Sequence, residues 1–387
     1  MNIILSDLNS HKKFLPLSYT RSIADFRVGI LTIKEKWEKY LESRINIKTE
    51  EYLQAKYELK IEKSNTIIYS AVLPNQKLVD AILSLKNSKL VKNNILLAYN
   101  TDLDIDTIPD KTLDYKSDIT IINGNTDLFT LNGICIEDDF ELLTKGRISA
   151  SLNKTNTVFG EHPVFVGNNC FVECATINTS DGPVYIANNS KIMEGSHIRG
   201  PFAICENAEI KMGAKIYGPT TIGPYCKVGG EINNSVFFAY SNKAHDGFLG
   251  QAVIGEWCNL GADSNNSNLK NNYAIVKLWD YEKERFENTG LQFCGLIMGD
   301  HSKCGINTMF NTGTVIGVSA NIFGAGFPRN FIPSFSWGGH SGLTTYKIET
   351  AFEVMTKVME RRNISLTELD KTIYTHIFDA STKYRNF

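Results

Sequence analysis

Three kinds of side chain in this 387-residue sequence carry the chemistry for catalysis or ligand binding: histidines, cysteines and a group of N-terminal basic residues. Imidazole titrates near neutral pH, so a positioned histidine can take or give a proton during a reaction. His245 stands in Lys243-Ala244-His245-Asp246-Gly247, and His301 in Gly299-Asp300-His301-Ser302; His197 reads as a surface residue. The histidines show no closely spaced pair of the kind zinc requires. The eight cysteines all lie at Cys135 or later, with no C-x-x-C pair, and the closest two, Cys170 and Cys174, have no usual ligand spacing. No metal site is expected from them. Lys12, Lys13, Arg21 and Arg27 are candidates to hold a phosphate.

These residues sit on a chain long enough for two domains, with 42% hydrophobic and 21% charged residues. A formal net charge of −2 gives no reason to expect nucleic acid or an anionic membrane as partner. No apolar run reaches the roughly 18 residues of a transmembrane helix, and Asp7 interrupts the N-terminus early, so a cytoplasmic protein is expected.

Residues 1–150 alternate strand and helix patterns. Ile3-Ile4-Leu5, Ile67-Ile68-Tyr69 and Ile95-Leu96-Leu97 suit buried strands. Thr32 and Glu35 form a capping box before a helix whose apolar face carries Ile33, Trp37, Tyr40 and Leu41. Such alternation predicts a sheet covered by helices.

From Val166 the period becomes six. Apolar residues recur at Val166 and Val172, at Ile186, Ile192, Ile198, Ile204, Ile210, Ile216, Ile222 and Val228, at Ile254 and Leu260, and at Met298, Cys304, Phe310, Ile316 and Ile322. A small residue follows four positions later at most steps, as at Ser190, Ala208, Cys226, Cys258 and Ser302, which makes those cysteines buried small side chains. The pattern predicts a triangular coil of short strands over residues 151–330, its aliphatic column buried by stacking. It loosens around Tyr240–Gly250, and between Leu260 and Met298 a long excursion, loop 265–295, leaves the coil with a hairpin pattern. Residues 331–387 read as an aromatic, glycine-rich segment and two helices, near 345–362 and 365–378, the second opened by a Ser365–Glu368 capping box; they cap the coil's end.

The repeat resembles the left-handed parallel β-helix of hexapeptide-repeat acyltransferases, and that resemblance is the source of the expected hand. Residues 243–255, K-A-H-D-G-F-L-G-Q-A-V-I-G, are similar to the K-A-x-H-x-x-Y-L-G-D-A-x-I-G stretch of the bifunctional N-acetylglucosamine-1-phosphate uridyltransferase/glucosamine-1-phosphate acetyltransferase family, and Asn259-Leu260-Gly261-Ala262-Asp263-Ser264 is similar to its N-I-G-A-G-T. The resemblance implies that His245 is the general base for acetyl transfer from acetyl-CoA, with Lys243 at the substrate. The family's N-Y-D-G motif is not kept: Asn268 takes the Asn position, Leu269 and Lys270 replace Tyr and Asp, and Tyr273 is a displaced substitute. A homotrimer with acyl-CoA between adjacent coils is also implied.

The N-terminal half resembles the sugar-1-phosphate nucleotidyltransferase fold more loosely, through Leu15-Pro16-Leu17-Ser18-Tyr19-Thr20-Arg21. Ser6 to Phe14 contains no glycine, although a phosphate loop needs close backbone approach. No metal-binding Asp follows Ile67-Ile68-Tyr69. Mg²⁺ is therefore expected only if this domain is active.

The expected function is acyl transfer from acyl-CoA to an amino sugar or sugar phosphate in nucleotide-sugar synthesis. His245 acts as base, Asn268 orients the acceptor, Lys243, Tyr273, Lys12, Arg21 and Arg27 bind substrate, and loop 265–295 closes the site. The alternatives are uridylyl or thymidylyl transfer, and a non-catalytic nucleotide-sugar-binding trimer.

Overall fold

The computed structural model describes residues 2–387, which fall into two compact units. The first unit comprises residues up to Phe14, Thr20–Phe26 and Leu31–Gly124. Its sheet holds β1 (Asn2–Ser6), β2 (Asn46–Lys48), β3 (Asn65–Tyr69), β4 (Ser88–Lys92), β5 (Ile95–Thr101) and β6 (Thr112–Asp114), in the order β2-β1-β3-β5-β4-β6. The apolar runs read from the sequence are β1, β3 and the start of β5; β1 runs parallel to β2 and β3, and β5 is antiparallel to both its neighbours. Helix α1 (Ile33–Leu41) opens with the expected capping box, Glu35 N–H donating to Thr32 Oγ1 at 3.2 Å and Thr32 N–H to Glu35 Oε2 at 2.7 Å. Its Trp37 is buried and donates Nε1–H to the Val72 carbonyl at 2.8 Å.

The second unit comprises Leu15–Tyr19, Arg27–Ile30 and Asn125–Phe387. Its helix α2 (Asn132–Thr144) lies on the coil, with Ile136 and Phe140 packed among Phe165, Tyr185, Ala203 and Cys205. The division between units therefore falls at Gly124, ahead of the change in sequence period.

The coil is a parallel β-helix with three faces. The first stacks nine strands from Val164–Val166 to Phe331–Ile332. The second stacks Phe171–Val172, Lys191–Ile192, Glu209–Ile210, Lys227–Val228, Asn242–Lys243, Asn259–Leu260, Lys303–Cys304, Asn321–Ile322 and Ser336–Gly339, with Gly342–Thr345 added antiparallel. The third runs from Thr157–Phe159 to Phe248–Gly250, followed along the coil by the pair Asn265–Asn266 and Met309–Phe310. Register places Ile192, Ile210, Val228, Lys243, Leu260, Cys304 and Ile322 in one interior column. The loosened stretch around Tyr240–Gly250 is thus not a break. Its rungs are intact but short: Val228 pairs one rung on with Lys243, fifteen residues away instead of the eighteen between Ile210 and Val228, and the interior position is a lysine.

The excursion forms an antiparallel hairpin, Lys277–Asp280 against Arg285–Asn288. At the C-terminus, α3 (Ile348–Glu360) and α4 (Glu368–Ala380) follow. The cap of α4 is Thr367, not Ser365: Asp370 N–H donates to Thr367 Oγ1 at 3.1 Å and Thr367 N–H returns to the Asp370 carboxylate at 3.0 Å. Two overlapping Ser/Thr-x-x-acid patterns compete here, and the second closes both bonds. No helix among the described residues is long and apolar enough to cross a membrane.

Because each rung buries one large side chain per face against the rungs above and below, a truncation in mid-column leaves a void that neighbours cannot fill. Ile210→Ala, at a fully buried position, is expected to cost about 2–5 kcal/mol, read as a lowered midpoint in chemical denaturation.

Candidate active site

The second face changes character where the column reaches Lys243. Its outward positions run Lys227, Asn242, Asn259, Lys303 in register. They floor a cleft of about 670 Å³ whose sides are Tyr240 and Trp257 at one corner of the coil and Ala244, His245, Gly261, Ala262 and Ile306 at the other; Val358, Arg361 and Arg362, from the end of α3 and just beyond it, complete the lining. His245 is exposed at the tip of its bend. The lining carries Lys227, Lys303, Arg361, Arg362 and His245, and among the described residues no carboxylate.

That bend is held from inside the coil. Lys243 is 1% exposed, and its ammonium donates to the carbonyls of Gly229 (3.3 Å), His245 (2.5 Å) and Asp246 (3.0 Å). Burial pulls its pKa from the usual lysine value down to about 8, against the opposing pull of Asp246. On the third face a second polar residue enters the interior: Asn266, buried, accepts from Gly250 N–H at 2.9 Å and donates back to its carbonyl at 3.0 Å. Asn265 accepts from Phe248 N–H at 2.8 Å. Gly247 turns the bend at φ +113°, where a Cβ would stand 2.2 Å from the Ser264 carbonyl oxygen, so only glycine fits. Five backbone groups between His245 and Gly250 are thereby fixed by buried or half-buried side chains.

The opposite corner carries a row of rings. Tyr225, Tyr240, Trp257 and His301 occupy the same left-handed corner position on successive rungs, where earlier rungs have Asn189 and Asn207. Tyr225 stacks on Tyr240 (centroids 5.0 Å apart), Tyr240 on Trp257 (4.2 Å), and Trp257 on His301 (5.9 Å). Tyr374 of α4 meets His301 edge-on. His301 is therefore buried in a stack under a helix.

Lys303, half-buried on the floor, donates to the His301 carbonyl at 2.9 Å, and burial lowers its pKa to about 8 as well. Lys227 pairs with Glu209 at 3.1 Å. Arg362 reaches the Tyr225 carbonyl at 3.4 Å. A concave floor of one sign, with flat rings along one edge and an imidazole at the other, suits a phosphorylated ligand with an aromatic part and a proton to be moved.

Several expected site residues lie elsewhere. Lys243 does not face substrate, because the strand register turns it into the interior column. Arg27 is buried within the second unit; it donates to the carbonyls of Phe238 (3.3 Å) and Ile30 and to Cys205 Sγ, and serves packing rather than a phosphate. Arg21 is 5% exposed in the first unit, while Lys12 is exposed there on a short 3₁₀ turn, His11–Phe14. Asn268 donates to Gln251 Oε1, and Tyr273 is exposed on the excursion. Residues 265–295 do not line the cleft. Reading the sequence missed Lys227, Lys303, Arg361, Arg362 and the ring stack. The stack had a signal, since Tyr225, Tyr240, Trp257 and His301 each directly precede the small residue of their repeat; the arginines had none.

In the first unit, the loop after β1 closes on Asp7. Its carboxylate accepts from Ser22 Oγ (2.7 Å), Ile23 N–H (3.0 Å) and Thr49 Oγ1 (2.6 Å), and burial raises its pKa to about 6. Ser70 and Ala71 follow β3 with no carboxylate. These residues do not fit a Mg²⁺–nucleotide site.

A family model described as "Sugar nucleotidyl transferase" matches residues 3–148. No curated protein matches the chain. Among solved structures, similar ones include UDP-N-acetylglucosamine acyltransferase from Campylobacter jejuni, 13% identical over 58% of this chain and 94% of that one, TM-score 0.33. The polySia-specific acetyltransferase NeuO is 14% identical over 50% and 87%, TM-score 0.29. A mutant of AntD, an N-acyltransferase from Bacillus cereus in complex with dTDP and coenzyme A, is 12% identical over 51% and 90%, TM-score 0.26. These neighbours are sugar-related acyltransferases, and their superpositions are too loose to bear on this chain's chemistry.

The buried lysine makes a pH prediction. Between about 8, its folded value, and the ordinary lysine value of 10.5, the unfolded chain holds a proton the folded chain has released, so folding gains as pH rises through this window. In Lys243→Met the titration is gone while Lys303 is retained. The unfolding free energy of wild type minus that of Lys243→Met should therefore rise from pH 7.5 to 9.5 when measured by urea denaturation; a flat or falling difference would mean the lysine is not held as a desolvated cation.

Proposed function

We propose that the protein transfers an acetyl or other acyl group from acyl-CoA to an amino sugar or sugar phosphate, with His245 as general base. One observation carries this reading: the exposed imidazole sits at the edge of a carboxylate-free cationic cleft, on a bend fixed from within by Lys243. The likeness of residues 243–264 to the hexapeptide acyltransferase motif supports it independently. Attack of an amine on the thioester carbonyl forms the N–C bond as imidazole accepts the amine's proton. N–H donors at the coil corner meet the tetrahedral oxyanion, which collapses with cleavage of the C–S bond, and the proton is returned so that CoA leaves as the free thiol. Lys227, Lys303, Arg361 and Arg362 bind the phosphates of the cosubstrate, and Tyr240 and Trp257 offer a flat edge for its base. In this reading three coils associate side by side, so that a neighbour's flat face completes the open side of the cleft. Work on nucleotide-sugar precursors in the cytoplasm goes with it.

Nucleotidyl transfer is the second reading, favoured by the family match over residues 3–148. The closed, glycine-free loop around Asp7 speaks against it, and no step through Mg²⁺ follows from these residues.

Release of free CoA thiol from acetyl-CoA, with a panel of amino sugar phosphates as acceptors, tests the proposal. His245→Ala should lower kcat about 10²–10⁴-fold with the fold intact. Arg361→Ala/Arg362→Ala should raise KM for acetyl-CoA about tenfold or more with kcat largely kept, because charge-assisted bonds to phosphate are lost uniformly. Turnover that is indifferent to His245 would remove it as the base.

A further inference from the structure

A second depression of about 670 Å³ lies where the excursion meets the last rungs of the coil, lined by Lys270, Lys277, Phe286, Thr312, Arg329, Asn330 and Phe331. It shares no lining residue with the His245 cleft. Three cations converge on it and, among the described residues, none of them forms an ion pair; the one bond of their side chains there is from the Lys270 ammonium to the Ile275 carbonyl at 3.2 Å. The absence of counter-charge matters here because acids are close by in sequence. Asp280, Glu284 and Glu287 on the hairpin all pair with other partners: Asp280 with Lys283, Glu287 with Lys283 and Arg285, and Glu284 with Lys383.

The apolar walls are rigid. Phe331 stacks face to face on Trp279 (4.2 Å, 9°), and Phe286, the cross-strand partner of Trp279, meets it edge-on at 5.4 Å. Tyr281 and Tyr384 brace Phe331 from the side. Strand alternation puts Lys277 on the same face of the hairpin as Trp279. Behind the floor, Asn330 Nδ2 donates to the Thr312 carbonyl at 2.8 Å and Thr312 Oγ1 to Ser267 Oγ at 3.0 Å. The hairpin is thereby a fixed wall of a preformed hollow.

We infer that this hollow is a binding site for a nucleoside diphosphate, separate from the His245 cleft. The diphosphate lies among Lys270, Lys277 and Arg329, and the base lies against Phe286 and Phe331. A compact group of two to three negative charges matches three uncountered cations, flat rings match the aromatic walls, and the volume falls within the ~300–1,000 Å³ of small-molecule sites. A nucleotide sugar and the nucleotide part of CoA share this chemistry. The inference does not rest on the acyl-transfer reading.

Isothermal titration of the full chain with UDP, ADP and pyrophosphate tests it. Saturable binding of UDP or ADP is expected at a site weakened about tenfold or more in Lys277→Ala/Arg329→Ala through loss of charge-assisted bonds. Both side chains are exposed, so the fold should survive. The same binding should persist in Arg361→Ala/Arg362→Ala and in His245→Ala. Preference for UDP would identify a uridine nucleotide sugar as the natural source, and preference for ADP an adenosine diphosphate ligand other than the acyl donor held in the His245 cleft. Absence of binding by both nucleotides overturns the site, as does binding abolished by Arg361→Ala/Arg362→Ala and untouched by Lys277→Ala/Arg329→Ala. Pyrophosphate binding as tightly as UDP and ADP would overturn the nucleoside part.

Discussion

An ammonium group inside the aliphatic column of a β-helix is an unfavourable choice unless something in the interior receives it, and here three carbonyls do. Lys243 replaces an aliphatic residue between Val228 and Leu260 and turns its Nζ onto the carbonyls of Gly229, His245 and Asp246. Desolvation alone would drive it neutral; the carbonyl dipoles keep it useful as a donor, and the compromise is the pKa near 8. The arrangement sits at a corner, where the Asp246 carbonyl accepts from Asp263 N–H as well as from the ammonium. The corner so fixed carries His245. A bend pinned from below, with Asn266 pinning the next segment, holds the backbone that carries the imidazole in one conformation.

The rest of the cleft follows from stacking. In a solenoid each rung copies the last, so a residue type that changes at one corner position changes a whole edge of the molecule. When Asn189 and Asn207 give way to Tyr225, Tyr240, Trp257 and His301, an edge of small polar turns becomes a continuous row of rings. These non-glycine residues sit at positive φ, which is tolerable because the corner hydrogen bonds repeat from rung to rung. Charge accumulates on the adjoining face in the same way, and residues at the end of α3 add Arg361 and Arg362 where no carboxylate answers them. Low-dielectric walls then concentrate a positive field over the floor.

Much of the scaffold was legible in the sequence. The six-residue spacing of large aliphatics named the interior column before any rung was seen, because nothing but a three-faced coil buries that pattern on every face. The Thr32–Glu35 box named the start of α1. Legibility ended where polarity and period disagreed. Lys243 at an interior position looked like a loosened repeat, and its motif position made it look like a substrate residue. Arg27, in a basic stretch, looked like a phosphate ligand, yet it spans to the Phe238 carbonyl some two hundred positions away. The cap of α4 was read two residues early because two overlapping patterns are locally equivalent, and only completed reciprocal bonds distinguish them.

What the sequence alone determined is periodic and local: the strand-helix alternation of the first half, the coil, the corners and the capping pattern of α1. These depend on spacing between neighbours a few residues apart, where chain geometry leaves few options. What only the tertiary structure decided is which long polar side chains turn inward and which residues from distant segments share a surface. Lys243 facing in and Lys303 facing out obey one register but opposite parity. Lys227, Lys303 and Arg361 meet across well over a hundred residues of chain, and Lys270 and Arg329 meet across some sixty, with the aromatic hairpin between them. Such encounters are set by which rung a residue occupies and where the closing helices end, quantities that no local pattern encodes.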